Sequence, residues 1–206
     1  MDAHRPFADR REAGRALAAS LRHLADRPAL LVMGLPRGGV PVAHEVARAL
    51  HAPLAACIVR KLGVPGHEEV AMGALASGGA EVLDAERIRR LHINESQIRE
   101  VRRREAAELA RREALYLGPR GAPPVRGRTV IAVDDGVATG ATLHAALLAL
   151  RGQAPAWLVA AAPVGAPDAA RACAARATRW SARGSRRTSA PWARPMSISR
   201  PPPTRR

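Results

Sequence analysis

An α/β domain with a central parallel sheet flanked by helices is the fold class the sequence predicts, from three observations. Two short runs, Ala29 to Met33 and Thr129 to Val133, are continuously apolar rather than alternating, as strands buried on both faces are. Each passes directly into a glycine-bearing loop and then into apolar residues at helical spacing, so strand, loop and helix occur twice in one form. The chain of 206 residues is long enough to bury the core of one such domain.

The remaining elements follow in order. Asp9 and Glu12 stand at capping-box spacing ahead of a first helix, about Arg10 to Leu24, whose Ala13, Leu17, Leu21 and Leu24 share a face that packs on the sheet edge. After the strand at Ala29, an Ala-rich helix runs to about Leu50, and Leu54 to Val59 forms the next strand, ending in Arg60-Lys61. Gly63, Pro65 and Gly66 open a segment through His67, Glu68, Glu69 and Met72 with neither helical nor strand period, the composition of a mobile lid. Ala71 to Ala76 and Glu81 to Leu83 fit a hairpin around Gly78-Gly79. From Asn94, with Gln97 at capping-box spacing, a long helix reaches about Leu117. Its alternating Arg and Glu residues make a solvated face rather than a nucleic-acid helix. Gly118 to Gly127 is a linker, Trp157 to Pro163 a strand, and Pro167 to Arg176 a short helix.

Composition narrows the function. The net charge of +15 suggests a polyanionic partner, but the last acidic residue is Asp168, and residues 169 to 206 hold ten arginines. The preceding body is therefore only mildly basic, and five aromatics make a poor stacking platform for single strands, so no nucleic-acid partner is expected. No apolar run is long enough to span a membrane and the charged N-terminus is unlike a signal peptide, which points to a cytoplasmic protein. Cys57 and Cys173 read as small core residues rather than a disulfide or metal pair, and the seven histidines form no metal set. His67, beside Glu68 and Glu69, is the one histidine placed to approach a ligand.

Chemistry concentrates in the two loops. In RTVIAVDDGVATGATL, Asp134 and Asp135 stand at the end of the strand as pure acceptors, suited to the vicinal hydroxyls of a ribose or to hydrated Mg²⁺. Ala138, Thr139, Gly140, Ala141 and Thr142 leave room for a phosphate among backbone N–H groups at a helix start. In GLPRGG, Gly38 and Gly39 allow close backbone approach, and Arg37 offers a fork of donors to a pyrophosphate. Lys61 is the only lysine among 33 basic residues, which suggests that a compact ammonium is needed there. Either loop alone also fits a plain strand-to-helix turn. Together they describe two ends of one sugar phosphate.

These stretches, with VRKLGVPG, resemble the type I phosphoribosyltransferase family over residues 7 to 176. The resemblance implies a type I phosphoribosyltransferase-like fold with a small helical and hairpin hood, about residues 62–118, and transfer of 5-phosphoribosyl from Mg²⁺-PRPP to a nitrogenous base in nucleotide salvage. By that resemblance Asp134 and Asp135 hold the ribose hydroxyls, residues 138–142 the 5′-phosphate, and Arg37, Gly38, Gly39, Arg60 and Lys61 the pyrophosphate, in a loop that often contains a cis peptide. Asp134, Asp135, Arg37 and Lys61 are the catalytic candidates. Mg²⁺ binds through PRPP oxygens, reaching Asp134 and Asp135 through water, and a homodimer is the usual assembly. Two departures leave the acceptor open: Ala138 stands where hypoxanthine-guanine enzymes carry Asp, and Ala76 near an acidic residue of adenine enzymes. A PRPP-binding regulatory protein without turnover is the alternative.

After residue 176 the chain becomes an Arg-, Pro- and Ser-rich tail without acids, as a disordered basic tail would be. A reading-frame shift near codon 177 is the other explanation. Ala177 to Ser181 can be encoded by codons that read as Asp-Glu-Val-Val in another frame, and Pro195 to Ser199 by codons that read as Tyr-Val-Asp-Phe in that same frame, when the degenerate bases are freely chosen; both strings resemble the family's closing segments.

Overall fold

The computed structural model describes residues 7–166 and 179–182, the last four as backbone only. In chain order the elements are α1 (Arg10–Leu21, prolonged by a 3-10 turn at Arg22–Leu24), β1 (Leu30–Gly34), α2 (Gly39–Ala49), β2 (Leu54–Ala56), β3 (Val59–Val64), β4 (His67–Ala76), β5 (Ala80–Leu83), α3 (Ala85–Arg90), α4 (Glu95–Tyr116), β6 (Thr129–Val133), α5 (Ala141–Gly152), β7 (Trp157–Ala162) and β8 (Arg179–Ala182). Five of the strands form a parallel sheet in the order β2-β1-β6-β7-β8, and β3, β4 and β5 form a separate antiparallel sheet.

The continuous apolar runs are explained by helices on both faces of the main sheet. Leu30 and Val32 of β1, Ile131 and Val133 of β6, and Val159 and Ala161 of β7 pack with Leu17, Leu21 and Leu24 of the first helical segment and Val42 and Val46 of α2. The intervening residues Leu31, Met33, Val130, Ala132, Leu158 and Ala160 face Leu143, Leu147 and Leu150 of α5. Period-two alternation thus divides two cores, and neither face is left for polar residues. The predicted caps form: Asp9 accepts from the Glu12 N–H at 2.7 Å, and Asn94 and Gln97 complete a reciprocal box at the start of α4. The Glu12 carboxylate reaches the Ala8 N–H rather than that of Asp9.

Several expectations need correction. The first helix packs chiefly against α2, on the sheet's face, and meets the sheet at its edge strand β8. Leu54 to Val59 is not one strand. Ala56 ends β2, the Cys57 N–H closes on the Gly34 carbonyl at 2.8 Å, and the chain then leaves the main sheet, so Arg60 and Lys61 sit inside β3. The segment read as an irregular lid is a hairpin of β3 and β4 turning at Pro65-Gly66, with register shifts at Leu62, Gly63 and Val64 that erase the strand period. The β4–β5 hairpin forms as expected, with Ala76 opposite Ala80. The hood is therefore a three-stranded sheet backed by α3 and α4, with its first strand starting at Val59, and Ile58, just before that strand, joins Leu62, Met72, Ile98 and Val101 in a separate core. Four residues of the segment read as tail form β8, pairing Val159 with Arg179, so the sheet reaches past residue 176. The expected helix at 167–176, Cys173 and the rest of the tail lie outside the described residues. Among the described residues no helix is long and apolar enough to cross a membrane.

A largely buried ion pair ties α4 to β3 in the hood. Both Nε and Nη2 of Arg60 donate to Glu105 Oε2, at 2.8 and 2.6 Å, and Glu105 is 7% exposed. Glu105→Ala would leave the largely buried Arg60 guanidinium unpaired, and a loss of about 2–3 kcal/mol is expected in urea unfolding, at the lower end for a broken buried pair because Arg60 keeps some solvent. A loss below about 0.5 kcal/mol, the range of ordinary surface changes, would deny the pair that role.

Candidate functional site

The strand order creates a crevice. From β1 the chain passes through α2 to β2 on one side, and from β6 through α5 to β7 on the other, with α2 and α5 on opposite faces. Adjacent parallel strands whose connections part in this way open a cleft outside their carboxyl ends. The register makes that edge level: Gly34 is opposite both Ala56 and Val133, and Val133 is opposite Ala161.

The two loops touch across this edge. The Leu35 N–H donates to the Val133 carbonyl at 2.8 Å, and the Pro36–Arg37 peptide is cis. A Cβ on Gly38 would stand 1.9 Å from Asp135 Oδ2, and one on Gly39 would stand 2.6 Å from the Val133 oxygen and 3.0 Å from the Asp134 Cα. Backbone approach requires glycine at Gly39, where the end of β6 presses, whereas at Gly38 it is the Asp135 carboxylate that leaves no room as it stands. Further along the second loop, Gly140 takes φ +77° at the start of α5, a left-handed turn that glycine adopts without strain. Ala138, Thr139, Ala141 and Thr142 are exposed there, and the Thr139 hydroxyl accepts from the Ala141 N–H at 3.4 Å.

The two carboxylates are unequal. Asp134 is tied in: its N–H donates to the Ala161 carbonyl at 3.1 Å, and its Oδ1 accepts the Asp135 N–H at 2.9 Å. Burial pushes its carboxyl up to about 6; the Asp135 N–H opposes this, and the Asp135 charge adds to it. Asp135 is more open and accepts from Arg10 Nε at 2.9 Å through Oδ2. Cys57 lies behind Asp134, its thiol pushed up to about 12 by burial and by the Asp134 charge, so it stays protonated and unreactive.

The structure therefore brings Gly38 and Gly39 against Asp134 and Asp135; Arg37 adjoins the glycines in the chain, and Ala138 to Thr142 follow the carboxylates on the same loop. It does not bring in Arg60, whose guanidinium is held by Glu105 in the hood. Lys61 lies on β3, and its Nζ donates to the Glu69 carbonyl at 2.9 Å. His67 and Glu69 are exposed near the tip of the same hairpin, with Nδ1 and Oε1 3.7 Å apart. Ala76 is buried against Ala145 and Ala149 of α5, so that position serves packing. Among the described residues no three His, Cys, Asp or Glu side chains are grouped to hold a metal ion. Arg10 was missed by the sequence reading, since nothing local distinguishes it from Arg11 in the first turn of an amphipathic helix. Only the packing of α1 beside α2 carries it to Asp135.

Comparison with known proteins gives three results. The family described as phosphoribosyl transferase domain matches residues 8–180. Two Mycobacterium tuberculosis proteins bearing phosphoribosyl transferase names, from strains CDC 1551 / Oshkosh and ATCC 25618 / H37Rv, are 44% identical over 162 residues, 79% of this chain and 36% of theirs. The chain thus spans about a third of the length of these curated relatives. The crystal structure of TT1426 from Thermus thermophilus is 39% identical with a TM-score of 0.78, covering 89% of this chain and 87% of that one. The AQ2163 protein of Aquifex aeolicus shares the fold at 11% identity and a TM-score of 0.50, over 85% of this chain and 74% of its own.

Proposed function

The chain belongs to the phosphoribosyl transferase domain family, and from that premise we propose that it is a pentosyltransferase that moves 5-phosphoribosyl from Mg²⁺-PRPP to a nitrogenous base in the cytoplasm, releasing pyrophosphate. The observation that carries the reading is the contact of the Asp135 carboxylate with Gly38 across the β1–β6 crevice, which sets a hydroxyl-binding group beside an anion-binding loop.

In the proposed reaction the bond from the anomeric carbon to pyrophosphate breaks, the ring carbon gains positive charge, and a nitrogen lone pair of the acceptor forms the new bond as that nitrogen's proton leaves to water. The chain's work is positioning and charge stabilisation. Asp134 and Asp135 would accept from the two ribose hydroxyls, residues 138–142 would wrap the 5′-phosphate at the start of α5, and Arg37 with the Gly38 and Gly39 backbone would take the pyrophosphate. Lys61 would join them by exchanging the Glu69 carbonyl for a phosphate oxygen. Arg60 has no part in this reading, because releasing it would break both of its bonds to the buried Glu105 and leave that carboxylate only Arg104, at 3.2 Å. Asp134 and Asp135 are hard oxygen donors on one loop, a set that fits a magnesium ion sharing its sphere with phosphate oxygens and water. When bound, such an ion supplies charge neutralisation on the leaving group.

The deciding experiment is pyrophosphate release from Mg²⁺-PRPP across a panel of purine and pyrimidine bases. Release with one acceptor class establishes the transferase, whereas saturable PRPP binding without release under any acceptor supports a regulatory binding protein. A pH prediction follows from Asp134. As pH falls through about 6 its carboxylate takes up a proton and stops accepting from a hydroxyl, so PRPP affinity should drop. The donor's own phosphates titrate nearby, so the readout is the difference between wild type and Asp134→Asn: the variant should lose part of the inflection. Superimposable profiles would remove Asp134 from the ribose site.

A further inference from the structure

Among the described residues, the ion pair between Arg10 and Asp135 is the one side-chain hydrogen bond by which a residue outside both loops reaches the carboxylates. Arg10 belongs to α1, which packs on α2, and α2 begins at Gly39 directly after the Arg37-Gly38 turn. Its Nε donates to Oδ2, the same oxygen that rests against Gly38. The guanidinium therefore stands on the side of Asp135 that faces the first loop. Its side chain is 61% exposed, and no described hydrogen bond engages Nη1 or Nη2. One edge of a planar fork is thus fixed and the other is open to solvent beside a glycine turn.

We infer that Arg10 is a pyrophosphate-binding residue, fixed by Asp135 so that its terminal nitrogens meet the anion opposite Arg37. This rests on the PRPP reading above and extends it to a residue neither loop contains. An arginine held at Nε by a carboxylate keeps its two terminal groups for bidentate binding, and loses less freedom on binding than an unanchored side chain. Asp135 in turn acquires two tasks. It accepts from the ribose, and it aims Arg10.

The test compares three ligands by calorimetry on wild type, Arg10→Gln and Arg10→Lys: Mg²⁺-PRPP, Mg²⁺-pyrophosphate, and ribose 5-phosphate, which lacks the pyrophosphate. Arg10→Gln should weaken the first two about 10-fold or more, as loss of a charge-assisted bond to an anion does, and leave ribose 5-phosphate unchanged or tighter. Arg10→Lys should recover part of the loss. Equal weakening of all three ligands would show that Arg10 acts only by holding Asp135, and unchanged pyrophosphate affinity would show that it does not meet the anion; either result overturns the inference. Failure of the parent reading is separately visible, since wild type would then bind neither PRPP nor pyrophosphate, and the inference falls with it. The exposure of Arg10 in a first helical turn leaves the fold intact in both variants, which unchanged urea midpoints would confirm.

Discussion

Replacing Asp134 and Asp135 together by asparagine is expected to weaken Mg²⁺-PRPP binding about 100-fold or more at pH 8, since each carboxylate would lose a charge-assisted hydrogen bond worth about 1.5–3 kcal/mol. The same change should make the ligand-free protein more stable. Burial raises the Asp134 carboxyl to about 6 in the fold, against an ordinary value of 3.8. A raised folded value means that the folded state holds the proton longer. The stabilisation is complete below about pH 4 and is lost as pH rises through about 6, on the order of 2–3 kcal/mol by pH 8. Asparagine is neutral throughout, and its amide oxygen keeps the acceptor role toward the residue 135 N–H, so the variant escapes that loss. Removing Asp135 forfeits only the exposed pair with Arg10, worth about 0–1 kcal/mol. Urea unfolding at pH 4 and pH 8 should show wild type declining relative to the variant. A variant that binds PRPP as wild type does, or that is less stable than wild type at pH 8, contradicts the account.

Asp134, whose burial raises its carboxyl, illustrates what the sequence makes legible. The loop that carries it was recognisable because a buried strand followed by acids and glycine is a local pattern, confined to residues 129–142. The main sheet was readable for a related reason: helices cover both faces, so β1 and β6 had to be continuous apolar runs. The path after β2 was not readable. Leu54 to Val59 contains no glycine, proline or polar residue to mark a break, yet after the Cys57 N–H bonds Gly34 the chain leaves the main sheet for the hood. The role of Arg60 was hidden in the same way. Its partner Glu105 lies 45 residues away on α4, among alternating Arg and Glu residues that all look solvated. None of the six residues of α3 is fully buried and Ile88 packs only partly against the hood core, so the helix carries no periodicity to find. Arg10 meets a carboxylate 125 positions distant. In each case the information lies in packing between segments rather than within one.

The paired glycines after Arg37 give the second large expectation, because Gly38 and Gly39 press on different things. At Gly39 an added methyl would meet the Val133 oxygen and the Asp134 Cα, backbone at and just past the end of the central strand β6, and that oxygen already accepts from Leu35. Neither can move without parting β1 from β6, so Gly39→Ala should lower stability by about 2–4 kcal/mol, at or somewhat above the usual range for overpacking a core because the obstruction is backbone. At Gly38 the obstruction is the Asp135 carboxylate, a partly exposed side chain that can swing away. Gly38→Ala should therefore leave the urea midpoint nearly unchanged, yet displace Asp135 from both Arg10 and the ribose position, and weaken PRPP binding about 10-fold or more. Gly66→Ala serves as the control: its φ of +77° carries backbone strain but nothing stands within 4 Å, so it should cost about 1 kcal/mol and leave binding alone. Urea unfolding and PRPP calorimetry on the three variants separate the cases. If Gly38→Ala unfolds as early as Gly39→Ala, or binds PRPP as wild type does, the carboxylate does not rest where the crevice requires it.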